Sequence, residues 1–550
     1  MDSLAAAADA RFEDGVRLLD TAQPAQALGL CFPLRAGLTI CGQRSAKMTN
    51  HLYDALFAPH EGSDRTFLIL PDGSRMSYGD FLHLAARYAH ALVAAGLKPG
   101  DRVALQLEKS PHMLAVIAAA IQAGIVFLPL NTAYTPAEVS YFVTNAGAKL
   151  LLCDPAFAGG LAPVAHAAGT DLRELDAHGG GSFAALAAGQ PDRFATQPCA
   201  PSDLAALLYT SGTTGRSKGA MLSHDNLLSN ARTLTTAWRF TESDVLLHAL
   251  PIFHTHGLFV ATNIALLSGA ALIFLPKFDL ETVLRLLPQA TAMMGVPTFY
   301  TRLLGDARLD RGLVGHIRLF VSGSAPLLAE THREWQARTG QVILERYGMT
   351  ETNMNTSNPY DGDRRAGTVG LPLPGIEVRV CGPDGRELPR GDVGVIEVRG
   401  PNVFQGYWQM PEKTREELRD DGFFITGDLA VMGADGYVTI VGRAKDLVIS
   451  GGFNVYPKEV EEALDALPGV VESAVIGVPH PDFGEAVVAV VVAKAGAPTD
   501  AAALGRALAR DLAKFKQPKH IAFLPDLPRN TMGKVQKNLL RDRFKDLFAR

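Results

Sequence analysis

Short apolar runs alternate with helix-length amphipathic stretches over most of this 550-residue chain. Val103–Gln106, Val126–Leu130, Leu150–Cys153, Ala205–Tyr209 and Val245–Leu250 have the length and apolar continuity of buried strands. Ala/Leu-rich segments such as Pro111–Ala123 lie between them and read as helices. This strand–helix–strand alternation predicts an α/β fold with parallel or mixed sheets sandwiched by helices. From about Gly375 the pattern shortens. Ile376–Val380, Val395–Arg399 and Tyr437–Val441 are brief runs between Gly, Asp and Pro turns, as in a small antiparallel or barrel-like layer. A compact α+β pattern follows Arg443, with Val455–Leu467 and Ala501–Ala513 helix-like and Val471–Val478 and Val487–Val492 strand-like. No repeat or low-complexity linker intervenes, so the joint should be short, near Gly442–Asp446. The expected organisation is an N-terminal extension (1–47), a large N-terminal domain (48–442), a hinge (443–446) and a small C-terminal domain (447–550).

The length exceeds what one core ordinarily serves, in keeping with two or more domains. Hydrophobic residues at 47% and charged residues at 20% give the balance of a globular protein. A net charge of -5 and a pI near 6.3 offer nothing to bulk nucleic acid or an anionic membrane. That average hides an asymmetry: from Arg506 to Arg550 twelve Lys/Arg face four Asp/Glu, leaving about -13 on the other 505 residues. A basic end on an acidic body suits a polyanionic ligand such as ATP or CoA, although a solvated helical face explains it equally well. Cys31, Cys41, Cys153, Cys199 and Cys381 show no CxxC spacing, so they read as reduced thiols of a cytoplasmic protein. No apolar run approaches the roughly 18–20 residues of a membrane span. The first 47 residues are Ala-rich but carry Asp2, Asp9, Glu13, Asp14 and Asp20, which suits neither a transit peptide nor a secretory signal. Met48 looks like a more natural beginning than Met1.

The strongest chemical feature is Tyr209-Thr-Ser-Gly-Thr-Thr-Gly-Arg-Ser-Lys-Gly219, directly after a strand-like run. Gly212 and Gly215 let a backbone approach a phosphate closely. Thr210, Ser211, Thr213 and Thr214 bring hydroxyl donors, and Lys218 brings charge. The Gly spacing is not that of a Walker loop, and Gly219 follows the lysine where Ser or Thr would stand.

This segment resembles the phosphate loop of the adenylate-forming superfamily: acyl-CoA synthetases, peptide-synthetase adenylation domains and luciferases. Four more segments resemble that superfamily's motifs in the right order: Glu345-Arg-Tyr-Gly-Met-Thr-Glu351, Thr426-Gly-Asp428, Gly442-Arg443 to Asp446, and Pro528-Arg-Asn-Thr-Met-Gly-Lys534. The resemblance runs from about Met48 to the C-terminus. It implies that a carboxylate attacks the α-phosphate of ATP to give an acyl-adenylate and pyrophosphate, a step catalysed mainly by positioning and electrostatics. Lys534 would hold the α-phosphate and the attacking carboxylate together. Glu351 would hold Mg²⁺, a hard cation suited to carboxylate and phosphate oxygens. Thr350 would lie against the α-phosphate, with Glu345, Arg346, Tyr347 and Gly348 contributing to the nucleotide site. Asp428 and Arg443 would take the ribose hydroxyls, and Ser322-Gly323-Ser324-Ala325 would wrap the adenine. The C-terminal domain would then turn about Asp446, withdrawing Lys534 and presenting Ser450-Gly451-Gly452 to the pantetheine of CoA. Lys458, Lys514 and Lys516 are candidates for the CoA phosphates. The chain ends 16 residues after Lys534, so free CoA is expected as acceptor rather than a fused carrier. In related synthetases the matching lysine is an acetylation target, which implies a protein acetyltransferase as a partner of Lys534.

The acid should meet the segments around His254, His256, Arg302, Ser322 and Met349. A fatty-acid site needs small apolar residues, whereas Arg302 and His256 are polar. A buried guanidinium calls for an anion, and a carboxylate matches it with two parallel hydrogen bonds. On pattern alone Arg302 could equally face outward from a helix beginning at Thr298. The runs Leu250–Leu258, Gly295–Leu303 and Glu345–Asp363 resemble bacterial malonyl-CoA synthetases in particular. In that family the arginine matching Arg302 binds the distal carboxylate, which implies malonate as substrate. Competing expectations are methylmalonate or another short or medium-chain acid, a freestanding adenylation module for a separate carrier protein, and a nucleotide-binding regulator without catalysis.

Overall fold

The apolar runs between Val103 and Leu250 become the spine of two sheets. The computed structural model describes residues 49–210, 217–451, 453–494, 496, 500–530 and 533–549. The extension 1–47, the loop residues Ser211, Gly212, Thr213, Thr214 and Gly215, and Gly452 lie outside the described residues. Met48–Arg550 form one compact unit.

Among the described residues, one six-stranded sheet has the order Asp171–Glu174, Leu150–Cys153, Arg102–Gln106, Val126–Pro129, Leu204–Thr210, Lys218–Ser223. Its first five strands are parallel, as the alternation predicts, and the last returns antiparallel, with Thr210 opposite Lys218. A nine-stranded sheet is built around Val245–His248, with Ala271–Phe274 on one side and Ala292–Gly295, Leu319–Ser322 and Leu344–Met349 on the other. These five strands are parallel, and the chain reverses its winding direction at Val245–His248. In open parallel sheets, ligands gather at the carboxyl ends beside such a switch point. His248, Gly295, Ser322 and Met349 are the strand ends there. The strand expected to run to Leu250 stops at His248, because the chain then enters the wide π-helical turn His256–Thr262.

Glu377–Cys381, Val393–Arg399, Phe424–Met432 and Val438–Arg443 form the small antiparallel layer. Beyond it, Val470–His480 and Gly484–Ala493 pair along their length in the C-terminal sheet. Val487, Ala489 and Val491 pack toward one cluster, and Val488, Val490 and Val492 toward another. An unbroken valine run here reads as a strand covered on both faces. The helix expected over Val455–Leu467 is trimmed to Pro457–Asp465, since Pro457 starts it.

Candidate active site

The strand-end motifs converge around Lys534. On the nucleotide side, Asp428 and Arg443 face each other across adjacent strands, so the backbone register alone brings them together. Arg443 Nε lies 3.0 Å from Asp428 Oδ1, and the Tyr347 hydroxyl donates to Oδ2 at 2.6 Å. The arginine is held above its usual range, first by Asp428. Burial opposes that shift, while Tyr347, Asp446 and Glu351 add to it. Glu351 is buried; Tyr407 and Thr210 approach its Oε1 at 3.1 and 3.3 Å. Burial raises its pKa, against the pull of Lys218 and Tyr407.

Lys218 differs from expectation in its company. Instead of standing free for a phosphate, it donates to both Glu417 carboxylate oxygens at 3.1 Å and to the Tyr407 hydroxyl at 3.0 Å. The Tyr407 hydroxyl is also 2.6 Å from Glu417 Oε2, so one proton serves two carboxylates. Burial alone would raise Glu417, but hydrogen bonds from Tyr407, Lys413 and Lys218 outweigh it. Tyr407 and Glu417 were not anticipated. Their signal, Gly406-Tyr-Trp ahead of a Pro411 helix start, looks like an ordinary turn until the fold places it against Lys218.

A second cluster, on the side where the acid is expected, brings together His254, His256, Ser324, Tyr300 and Arg346. Arg346, expected among the nucleotide residues, lies under the Gly323 turn: a Cβ on Gly323 would come within 2.4 Å of its guanidinium carbon. Only glycine allows that approach. Arg346 is 4% exposed, and among the described residues its Nε and Nη2 have no hydrogen-bond partner. Burial pushes its pKa down to about 9, which still leaves it charged at neutral pH. Burial and then Arg346 hold His256 well below its normal range, and burial, Lys534 and Arg346 push His254 down to about 3. Both rings are neutral beside one unpaired cation. His256 Nδ1 lies 3.2 Å from Ser324 Oγ, while its Nε2 and the Ser322 hydroxyl are buried without partners among the described residues. Ser324 takes a left-handed φ of 71°, a strained setting that concentrates at functional sites. Gly348 also has a steric reason to be glycine: a Cβ there would stand 1.9 Å from the Asn353 carbonyl oxygen. Met349 and Thr350 continue from it, half-buried.

Arg302, expected as a buried acid ligand, is exposed on the helix Pro297–Leu304, its guanidinium 6.0 Å from the Phe278 ring centre. The amphipathic helix turns Phe299, Tyr300 and Leu303 inward, which leaves position 302 outside. Thr298, one turn earlier on the same face, meets Gly533 of the lysine loop, where an added Cβ would lie 3.5 Å from its side chain.

Lys534 is solvent-accessible. Even so, desolvation, then Arg443 and Arg346, lower its pKa against the opposite pull of Asp428 and Glu351. One ammonium thus senses the ribose-side pair, the Glu351 carboxylate and the acid-side arginine. Its loop is closed by the Lys534 N–H donating to Asn530 Oδ1 at 3.0 Å, and Arg529 pairs with Glu472. The hinge candidate Asp446 is ion-paired to Arg541 of the last helix. Ser450 is buried, and the Gly451 N–H donates to the Phe483 carbonyl at 2.9 Å. Of the three lysines considered for CoA, Lys458 donates to the Ile440 carbonyl at 2.6 Å, Lys516 pairs with Glu459, and Lys514 is exposed.

No cluster of three metal-ligating side chains occurs among the described residues. A buried carboxylate met by two neutral hydroxyl groups suits Mg²⁺, which keeps waters and shares its shell with phosphates. Glu351 is the residue that would hold it.

A family profile described as AMP-binding enzyme matches residues 57–408, and one described as AMP-binding enzyme C-terminal domain matches 459–534. A feruloyl-CoA synthase from Amycolatopsis is 38% identical, the match covering 86% of this chain and 94% of that protein. A malonate–CoA ligase from Arabidopsis thaliana is 32% identical over 89% of this chain and 88% of its own length. The ATP-bound crystal structure of MatB from Rhodopseudomonas palustris is 59% identical, with TM-score 0.89 over 91% of this chain and all of that one. The apo form of the same protein covers the same shares with a TM-score of 0.79. No helix among the described residues is long and apolar enough to cross a membrane.

Proposed function

This chain belongs to the AMP-binding enzyme family and is an adenylate-forming acyl-CoA ligase that uses ATP, Mg²⁺ and CoA, and from that premise we propose that its acid is malonate. The overall reaction is malonate + ATP + CoA to malonyl-CoA + AMP + pyrophosphate. Family likeness alone leaves the acid open, since relatives of similar identity are named for ferulate and for malonate. One observation carries the choice: the buried Arg346 guanidinium with two unpartnered nitrogens beside neutral His254 and His256. A monoacid would leave that charge unmet. A second carboxylate completes it, and breaking such a buried pair typically costs about 3–5 kcal/mol. Arg302 is exposed on the helix face that meets the lysine loop, so its part in holding the distal carboxylate rests on the family resemblance alone.

In the first half-reaction the proximal carboxylate oxygen forms a bond to the α-phosphorus and pyrophosphate leaves. Lys534 neutralises the charge growing between them, with Thr350 against the α-phosphate and Asp428 and Arg443 holding the ribose. Thr210 and the loop Ser211–Gly215 would line the phosphates, and Lys218 would tie that loop to Glu417. Mg²⁺ held by Glu351 would supply charge for the departing pyrophosphate. In the second half-reaction the CoA thiol takes the acyl carbon and AMP departs. The domain 447–550 would turn about Asp446 between the two, exchanging Lys534 for Ser450–Gly452. A cytoplasmic location and acetylation of the accessible Lys534 by a protein acetyltransferase belong to the same proposal.

ATP-dependent CoA consumption with malonate, methylmalonate, acetate and octanoate side by side tests the acid. Malonate should be used best. Methylmalonate should follow, because an extra methyl is worth only about 1–3 kcal/mol in a site. Arg346→Gln should lower kcat/KM for malonate at least about a hundredfold with the KM for ATP little changed. Preference for acetate or octanoate, or undiminished malonyl-CoA formation by both Arg346→Gln and Arg302→Ala, would overturn the assignment. Acyl-AMP formation without CoA consumption would favour an adenylation module for a carrier protein.

A further inference from the structure

Lys109 sits just before the helix Pro111–Gln122, whose cap Ser110 accepts the Met113 N–H. A lysine in that position ordinarily reaches solvent. Here it is 8% exposed, and its ammonium meets no carboxylate among the described residues. Its contacts are His248 Nδ1 at 2.9 Å, the His248 carbonyl at 2.8 Å and the Phe274 ring, whose centre is 4.4 Å away. His248 ends the strand at the switch point of the nine-stranded sheet, whereas Lys109 follows a strand of the six-stranded one. The contact therefore crosses between the two sheets.

The hydrogen bonds have a direction. His248 Nε2 lies 2.9 Å from the Gly257 carbonyl, which can only accept, so Nε2 carries the ring proton. Nδ1 is then the acceptor, and Lys109 must be the donor. The Thr262 hydroxyl adds a second donor to the same Gly257 carbonyl at 2.9 Å. Gly257 is the second residue of the π-helical turn His256–Thr262 and follows His256 directly. A Cβ on Gly257 would stand 2.0 Å from the Pro251 carbonyl oxygen, so the backbone has no room to drift there. π-Turns of this kind recur at functional sites. A methionine of similar length would fill the Lys109 site without a charge to desolvate, so stability does not explain the lysine.

We propose that Lys109 is a positioning residue for the acid site: by donating to His248 it fixes the ring's tautomer, and through the Gly257 carbonyl it holds the His256 turn beside Arg346. This rests on His256 and Arg346 lining the acid site but not on which acid binds there. The test uses the full-length enzyme and whichever acid the wild type consumes fastest in the panel above, so an error in the malonate assignment does not touch it. Lys109→Met should raise the KM for the acid at least tenfold, keep the KM for ATP within twofold and leave the melting temperature unchanged or higher. Thr262→Val, which removes the second donor to the Gly257 carbonyl, should raise the acid KM two- to fivefold. In the wild type, ring ¹⁵N shifts should show His248 neutral with its proton on Nε2, and in Lys109→Met the Nδ1 shift should move as that nitrogen loses its donor. A wild-type ring protonated on Nδ1 would overturn the proposal whether or not the variants fold. So would a fall in melting temperature with both KM values unchanged, or equal rises for acid and ATP, since those describe a merely structural lysine.

Discussion

The two halves of the site, the Asp428–Arg443 side proposed for ribose and the Arg346 side proposed for the acid, treat charge in opposite ways. Asp428 is buried, but both of its oxygens are met within the protein, by Arg443 and Tyr347. Arg346 is just as buried, and two of its nitrogens are met by nothing among the described residues. A nucleotide is common to every member of such a family, so its pocket can be assembled in advance from protein partners. The acid-side cation is left incomplete, and an incomplete buried charge is a demand for one kind of ligand.

That contrast can be broken at several points. The largest effect is expected where the halves meet: Lys534→Ala should reduce adenylate formation, read as malonate-dependent release of pyrophosphate, by at least about a hundredfold. The same variant given preformed malonyl-adenylate should still make malonyl-CoA from CoA. Loss of both steps together would place Lys534 in the wrong half-reaction. Next, single substitutions on the two sides should shift stability in opposite directions. Asp428→Ala leaves Arg443 without its partner and should cost about 2 kcal/mol in urea unfolding, below the range for a fully buried pair because Arg443 is partly exposed. Arg346→Met removes an unpaired desolvated charge and should leave stability equal or about 1–3 kcal/mol higher, although malonate use collapses. Equal destabilisation by both would erase the comparison.

A pH-dependent effect concerns Glu345, whose carboxyl is pushed up to about 8 by burial, against the opposing pulls of the Gly367 N–H and Lys458. The unfolded carboxyl loses its proton near 4.5, whereas the folded one keeps it until about 8. Across that window the folded state binds more protons, so stability falls as pH rises. Glu345→Gln should flatten the decline between about pH 5 and 8 in melting curves and change little below it. An unchanged slope would mean that Glu345 ionises normally in the folded protein.

Much of the scaffold could be read in advance because periodicity is local. Val103–Gln106 and Leu150–Cys153 are strands within a residue of expectation, and the C-terminal valine runs are the paired strands they promised. The motif residues stood out by resemblance, and the structure adds that Thr210 ends a strand, Asp428 faces Arg443 and the Lys534 N–H donates to Asn530. Arg302 and Arg346 show where that reading stops. Both stand in promising motifs, yet one is turned outward by its helix and the other sealed beneath Gly323. Lys109 and Tyr407 carried no usable signal, since neither lies near its partner in the chain.

The sequence by itself determined the elements, their order and the chemistry available at each strand end, because apolar period and turn residues act over a few positions. Tertiary structure alone decided which charges lost their water and which found partners. Desolvation depends on what distant segments lay over a group: Gly323 over Arg346, Glu417 against Lys218 and His248 against Lys109.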